Sequence, residues 1–415
     1  MKRYIRYILQ SLFILLLFPV AGNKIIVQPG GKVGSIKAAL VQANPGDTIL
    51  VKAGTYREGN ILIAKSVTLL GEGKPVVDGE HKVEVFTVQA ERVTIEGFQI
   101  ANSGVSSMKD LAGIGSLQGH YLAIRKNDFI GTFFGVHLSG TNHVVIEQNT
   151  FKALLRSDHE TGNGIHLWQC GNATITNNTI QGHRDGIYFE FVTNSIISGN
   201  TSEGNHRYGL HFMFSHDDEY RNNIFRNNGA GVAVMYTKNV TMVNNIFDRN
   251  WGPTAYGLLL KDIRDSHVEG NQFEQNTIAI YMEGTSRTEF RRNTFIRNGW
   301  AVKLQASCDG NAFTGNNFKS NTFDLATNGT MVLNKIDRNY WDKYQGYDLN
   351  KDGIGDVPFR PVNMYAMIVE RVPSAVLLWR SFLVFLLDRA EKVFPAVTPE
   401  NLKDDYPSMK PYDLN

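Results

Sequence analysis

Between residues 127 and 339 the apolar and polar positions obey one repeating rule. An asparagine recurs at Asn127, Asn149, Asn178, Asn200, Asn223, Asn245, Asn271, Asn293, Asn316 and Asn339, in steps of 22 to 29 residues. Two positions beyond most of them stands a large apolar side chain: Phe129, Phe151, Ile180, Phe225, Phe247, Phe273, Phe295 or Phe318. A second apolar strand follows in each repeat, as in GVHL (135–138), GIHL (164–167), GIYF (186–189), GLHF (209–212) and GVAV (231–234). Apolar residues alternating at every second position, with no helical period, predict short strands. Stacked at this interval, they predict an all-β, right-handed parallel β-helix. The asparagines fit its turns, where their side chains tolerate left-handed backbone and can hydrogen-bond along the stack.

The alternation also sorts the faces. In the glycine-led strand the first and third positions are apolar throughout, from Val136/Leu138 through Leu210/Phe212 to Val302/Leu304, and must face the core. The second and fourth then point out. Down the coils they read His137/Ser139, His166/Trp168, Tyr188/Glu190, His211/Met213, Ala233/Met235, Leu259/Lys261, Tyr281/Glu283 and Lys303/Gln305. A face that merely meets water has no need of so many His, Met and aromatic side chains. Two long steps mark insertions, at 154–162 and 251–255, and inserts in a solenoid become loops over one face.

Outside the repeat the pattern changes. Residues 35–42 read as a short amphipathic helix with Ser35 as N-cap, placed to cover the open end of the solenoid. The repeat stops near Trp341, and residues 364–394 become helical with a break at Pro373. Within them Leu377, Leu378, Trp379, Phe382, Leu383, Phe385 and Leu386 belong to an apolar run too short to span a bilayer. They are expected either to cap the solenoid or to dock onto a partner or membrane surface. At the other end, Lys2, Arg3 and Arg6 precede an apolar run and the small residues Ala21 and Gly22, the layout of a secretory signal cleaved near residue 22. The expected organisation is thus a signal peptide over 1–22, the β-helix over 23–362, and a helical extension with tail over 363–415.

Charge removes some functions. The 415 residues carry 42 Lys and Arg against 40 Asp and Glu, and loss of the signal takes away three of the basic residues and no acidic one. A mature chain near −1 gives no support to nucleic-acid binding. Two cysteines cannot frame a disulfide scaffold. Cys170 and Cys308 lie six coils apart, about 30 Å at about 4.8 Å per coil, too far to bond to each other.

Candidate chemistry sits on the outward face and in one loop. Met213 and Met235 fall on adjacent coils, His211 lies two residues along the same strand, and His216 follows just past it. Thioether and imidazole donors suit Cu(I); the alternative is a surface that covers a partner. Asp348, Asn350, Asp352 and Asp356, with Gly353 among them, resemble the first half of a calcium loop, although Phe359 replaces the acidic residue expected at its twelfth position; an acidic turn is the alternative. Asp185, Glu190 and the pair Asp217–Asp218 keep open a carbohydrate-binding or polysaccharide-modifying β-helix. No catalytic or nucleotide-binding constellation stands out, so an enzyme is not expected. A passive adhesin is a third possibility.

Five segments resemble the NosD family, the periplasmic maturation factors of nitrous-oxide reductase: RYGLHFMFSHDDEYRNNIFRNNGAGVAVMY (207–236), NWGPTAYGLLLKDIRDS (250–266), IYMEG (280–284), NYWDKYQGYDLNKDGIGDVPFRP (339–361) and MIVERVPSAVLLWRSFLVFLLDRAEKVFP (367–395). The resemblance implies an exported β-helix that works with an ABC-type ATPase and its membrane subunit. It further implies a copper chaperone as partner and a role in assembling the reductase's copper–sulfide cluster. On that reading copper is handled transiently by the His/Met face, calcium is at most structural, and the 377–386 run docks on the membrane subunit at the bilayer surface. The protein would then be periplasmic and membrane-associated through its partners.

Overall fold

In a computed structural model, the residues described are 22–106, 108–154, 161–329, 333–393, 399 and 402–414. Residues 1–21, on which the expected signal falls, and residues 155–160 of the first insertion lie outside them. The alternating segments form short strands that pair in parallel from coil to coil, building three long sheets of 14, 12 and 13 strands around one core. The expected parallel β-helix is what the chain forms. All sixteen side chains at the first and third positions of the glycine-led strands, from Val136 to Leu304, are fully buried. Each contributes about 1.5–3 kcal/mol by leaving water. Phenylalanines two residues past the asparagines stack face to face: Phe247, Phe273, Phe295, Phe318 and finally Trp341 follow at ring spacings of 4.5, 5.0, 4.7 and 4.0 Å.

The asparagines are buried and bonded in a continuous ladder, but their backbone is not left-handed. That conformation falls on the residue before, as at Lys126, Gln148, Asn177, Asn222 and Asn244. The corner is turned by one residue and bonded by the next. Asn178 Nδ2 donates to Asn200 Oδ1 at 2.9 Å and to the Ile146 carbonyl at 2.8 Å, while its own Oδ1 accepts the Asn149 amide at 2.9 Å. A second ladder of the same design runs through Asn205, Asn228, Asn250, Asn276, Asn298 and Asn321 at the next corner. Both satisfy buried amides that a turn would otherwise leave unpaired.

The two ends are closed differently. Helix α1 (Ile36–Gln42) covers the first coils, and Ser35 Oγ accepts the Ala38 amide at 3.1 Å. At the far end the chain leaves the solenoid for α2 (Met364–Arg371), a 3-10 turn over Pro373–Leu378, and α3 (Phe382–Val393). It then returns. Asp404 takes the place the next ladder asparagine would occupy, its carboxylate accepting from the Asn339 amide at 2.8 Å, Asn339 Nδ2 at 3.2 Å, the Arg338 amide at 2.9 Å and Trp341 Nε1 at 3.0 Å. An accept-only group suits the last rung, since no further coil needs its donor. The helices are therefore an excursion between the last coil and its own cap.

Candidate functional site

The 12-stranded sheet carries the glycine-led strands, and register puts their outward residues in columns. Gly115, His137, His166, Tyr188, His211, Ala233, Leu259, Tyr281 and Lys303 form one column; Leu117, Ser139, Trp168, Glu190, Met213, Met235, Lys261 and Glu283 form the next. Both insertions leave the chain at the corner that precedes this sheet, after Thr150–Lys152 and after Ile246–Asp248, so the described part of each flanks it. Trp251 of the second is exposed.

Rings follow one another down the first column, tilted or edge-on rather than face to face. Centroids of His137, His166, Tyr188 and His211 succeed one another at 4.8, 4.6 and 5.0 Å, and Tyr208 closes on His211 at 4.7 Å. At its upper end a cleft of about 600 Å³ is lined by Glu84, Asp110, His137, His166, Trp168 and Glu190. Burial drives the imidazoles toward neutrality: His166 falls to about 3, with His137 and Arg184 adding to the effect, and His211 falls to about 4, with Arg207 and Arg184 adding. A neutral imidazole offers a lone pair to a metal.

His211 is 4% exposed although it points away from the core, because the two tyrosines flank it, and neither ring nitrogen has a hydrogen-bond partner. Met213 and Met235 are direct register partners on adjacent strands, about 4.8 Å apart along the stack. Met213 Sδ accepts the Tyr188 hydroxyl at 3.6 Å. Strand register thus places His211, Met213 and Met235 on the outward face of two adjacent strands. The donor set fits a soft monovalent ion: two thioethers and an imidazole whose nitrogens are unspent.

The fourth expected ligand does not join them. His216 lies beyond the strand on the turn, where it lines a separate groove of about 410 Å³ with Tyr236, Lys238, Asp262 and Arg264. Its Nδ1 accepts the Lys238 amide at 3.4 Å, and its pKa is lowered by burial and by the Lys238 charge. Grouping it with His211 is corrected: the turn that follows Met213 carries the chain around the corner. Asp185, which the sequence offered only as a carboxylate for polysaccharide chemistry, is fully buried one coil before His211, with Oδ2 at 4.0 Å from His211 Nδ1.

The acidic loop uses its oxygens internally. Asp348 accepts the Asp352 and Gly353 amides at 3.2 and 2.8 Å, Asn350 Oδ1 the Asp352 amide at 3.0 Å, Asp352 the Ile354 amide at 2.8 Å, and Asp356 the Leu349 amide at 2.7 Å. Among the described residues no three His, Cys, Asp or Glu side chains stand close enough to hold a metal. The loop reads as a turn stabilised by its own side chains, and calcium finds no support. Cys170 and Cys308 are separate, buried and free, and burial pushes the Cys170 thiol up to about 11.

Helix α2 seats Tyr365, Ala366 and Val369 against Phe323 on this same sheet, and Lys303 pairs with Glu370 at 2.6 Å. The extension therefore forms a wall at the lower end of the His/Met columns. Beyond that wall Leu377, Leu378, Trp379, Phe382, Leu383, Phe385 and Leu386 are all exposed, Leu377 by 86% and Phe382 by 74%. Among the described residues no helix is long and apolar enough to cross a membrane.

Comparison with known proteins places this geometry. A family described as periplasmic copper-binding protein (NosD) matches residues 152–352, a span that holds His166, Asp185, His211, Met213 and Met235. A relative in Pseudomonas aeruginosa named probable ABC transporter binding protein NosD is 28% identical over 379 residues, covering 86% of this chain and 87% of its own. One of the same name in Stutzerimonas stutzeri is 27% identical over 384 residues, covering 86% of each. Among solved structures, the family 28 exopolygalacturonase of Yersinia enterocolitica superposes with a TM-score of 0.62 at 10% identity, over 76% of this chain and 78% of that one. At that identity the likeness is one of fold alone.

Proposed function

We propose, from the premise that the chain belongs to the NosD family, that it is an exported accessory protein for assembly of the copper–sulfide cluster of nitrous-oxide reductase. It acts in the periplasm with an ABC-type membrane subunit and its ATPase, and receives Cu(I) from a copper chaperone. One observation carries the copper part of the reading: the Met213–Met235 register pair beside a buried His211 with two unspent ring nitrogens. Copper is cargo here, held long enough to be handed on. When bound, it takes electron pairs from sulfur and imidazole with no change of oxidation state. Tyr188 and Tyr208 exclude water from the ring, and burial keeps His211 unprotonated and ready to ligate.

The relatives' printed name, ABC transporter binding protein, supports the membrane partner. The exposed Leu377, Leu378, Trp379, Phe382, Leu383, Phe385 and Leu386 supply a surface for it at the bilayer, next to the lower end of the columns. Cu(I) competition titration tests the ligand set. The triple variant His211→Ala, Met213→Ala, Met235→Ala is expected to lose binding that the wild type shows, and His216→Ala to keep it. Equal affinity of the triple variant and the wild type would sink the site.

A further inference from the structure

We infer that Asp185 is the positioning residue for His211, accepting a hydrogen bond from its Nδ1–H so that Nε2 presents its lone pair to the cargo ion. The inference rests on the copper reading above for its purpose, and on geometry for its substance. Asp185 and Tyr208 are register partners on adjacent strands, and the His211 ring lies beside both, 4.7 Å from the Tyr208 ring and with Nδ1 4.0 Å from Asp185 Oδ2. Asp185 is fully buried, a position in which a carboxylate is rarely tolerated without a task.

One of its oxygens is already committed. Oδ1 accepts the Tyr208 amide at 3.2 Å and lies 4.0 Å from Arg207 Nε, which anchors the carboxyl plane. Oδ2 has no partner and faces His211 Nδ1 across 4.0 Å, about 1 Å beyond a normal hydrogen bond. Three buried polar atoms, Asp185 Oδ2 and both ring nitrogens of His211, are thus unsatisfied side by side. A small rotation of the imidazole between Tyr188 and Tyr208 would pair two of them and leave the third as a ligand. This is the general way in which carboxylates fix the tautomer of a metal-binding histidine and raise its basicity.

The test has two independent readouts. In full-length mature protein with ¹⁵N-labelled histidine, free of metal, the His211 ring is expected to be the Nδ1–H tautomer, assigned by its loss in His211→Ala. An Nε2–H tautomer in the wild type would overturn the proposal, whatever copper does. Cu(I) competition titration then gives the functional side. Asp185→Ala is expected to weaken Cu(I) binding about 10–100-fold, and Asp185→Asn, which keeps an acceptor oxygen and the Tyr208 bond, to recover most of it. Asp185→Ala with wild-type affinity would refute the role. If the wild type binds no Cu(I) while the Nδ1–H tautomer is present and lost in Asp185→Ala, the positioning stands and the copper reading fails.

Discussion

Replacing Asp218 by asparagine should make the protein more stable, and only where the pH is high enough to ionise a free carboxyl. Asp218 is buried at 2% exposure in the corner column shared by Ser195, Ser266, Asn311 and Asn334. Its Oδ1 accepts the Ser195 amide at 2.8 Å, and its Oδ2 has no partner. Burial pushes its pKa up to about 8. Because the unfolded carboxyl ionises near 3.9, the native state holds a proton that the unfolded state releases. Stability is therefore fully present below about pH 4 and declines as pH rises toward 8. Three pH units at about 1.4 kcal/mol each make the loss at pH 7 on the order of 4 kcal/mol. Asn311 and Asn334 show what an amide does in this column, donating from Nδ2 to the carbonyls of Thr285 and Cys308 at 2.8 and 2.9 Å. Each of those carbonyls lies 26 residues earlier; for position 218 the equivalent is Val192. Thermal unfolding at pH 4, 7 and 8.5 measures the effect. Asp218→Asn should raise the melting temperature by several degrees at pH 7 and leave it almost unchanged at pH 4. An equal gain at both pH values, or none at pH 7, would refute the reasoning.

Asp404→Ala strips the last ladder rung of its acceptor and leaves buried donors on Arg338, Asn339 and Trp341 unpaired. At about 1–3 kcal/mol per orphaned group, amide exchange in the last coils should accelerate at least a hundredfold; unaltered exchange would contradict the cap. Substituting Leu377, Phe382 and Phe385 by Asp removes exposed apolar surface, so the melting temperature should stay within about 1 °C while co-purification with the membrane subunit is lost. Retained co-purification would remove the docking role. Truncation after Pro361 is a poorer test, because it deletes the Asp404 cap together with the helices. The Cys170 thiol should resist a thiol reagent at pH 8 until the protein is unfolded, and rapid labelling of the native chain would show the coil to be open.

The solenoid was legible because its rule is local and repeated. One ladder position, one apolar position two residues on, and a glycine-led strand recur often enough that chance alignment fails, and every inward side chain named from them is buried. The second asparagine ladder, Asn205 to Asn321, keeps the same intervals but begins three coils later than the first and is easily lost among neighbouring asparagines. Left-handed backbone was assigned one residue late because propensity favours Asn there, whereas at Lys126 and Gln148 the stack imposes the conformation on residues with little liking for it. Of the site, His211, Met213 and Met235 followed from strand alternation. His216 misled because alternation ends where the strand ends, and Asp185 was visible only as one of several carboxylates because its place beside His211, 26 residues away, is set by register across coils. The return of Asp404 to the solenoid after the helical excursion had no local signal at all.

The central claim is that this protein supports assembly of the copper–sulfide cluster, and the most direct measurement is made on the client. Nitrous-oxide reductase should be purified from a strain lacking this protein and from the same strain restored with it, and the copper and sulfide of its catalytic cluster quantified alongside activity. The account predicts reductase that is present but lacks the cluster and is inactive, with both restored by the wild-type chain and not by the His211→Ala, Met213→Ala, Met235→Ala variant. A fully loaded, active reductase from the deletion strain would contradict it.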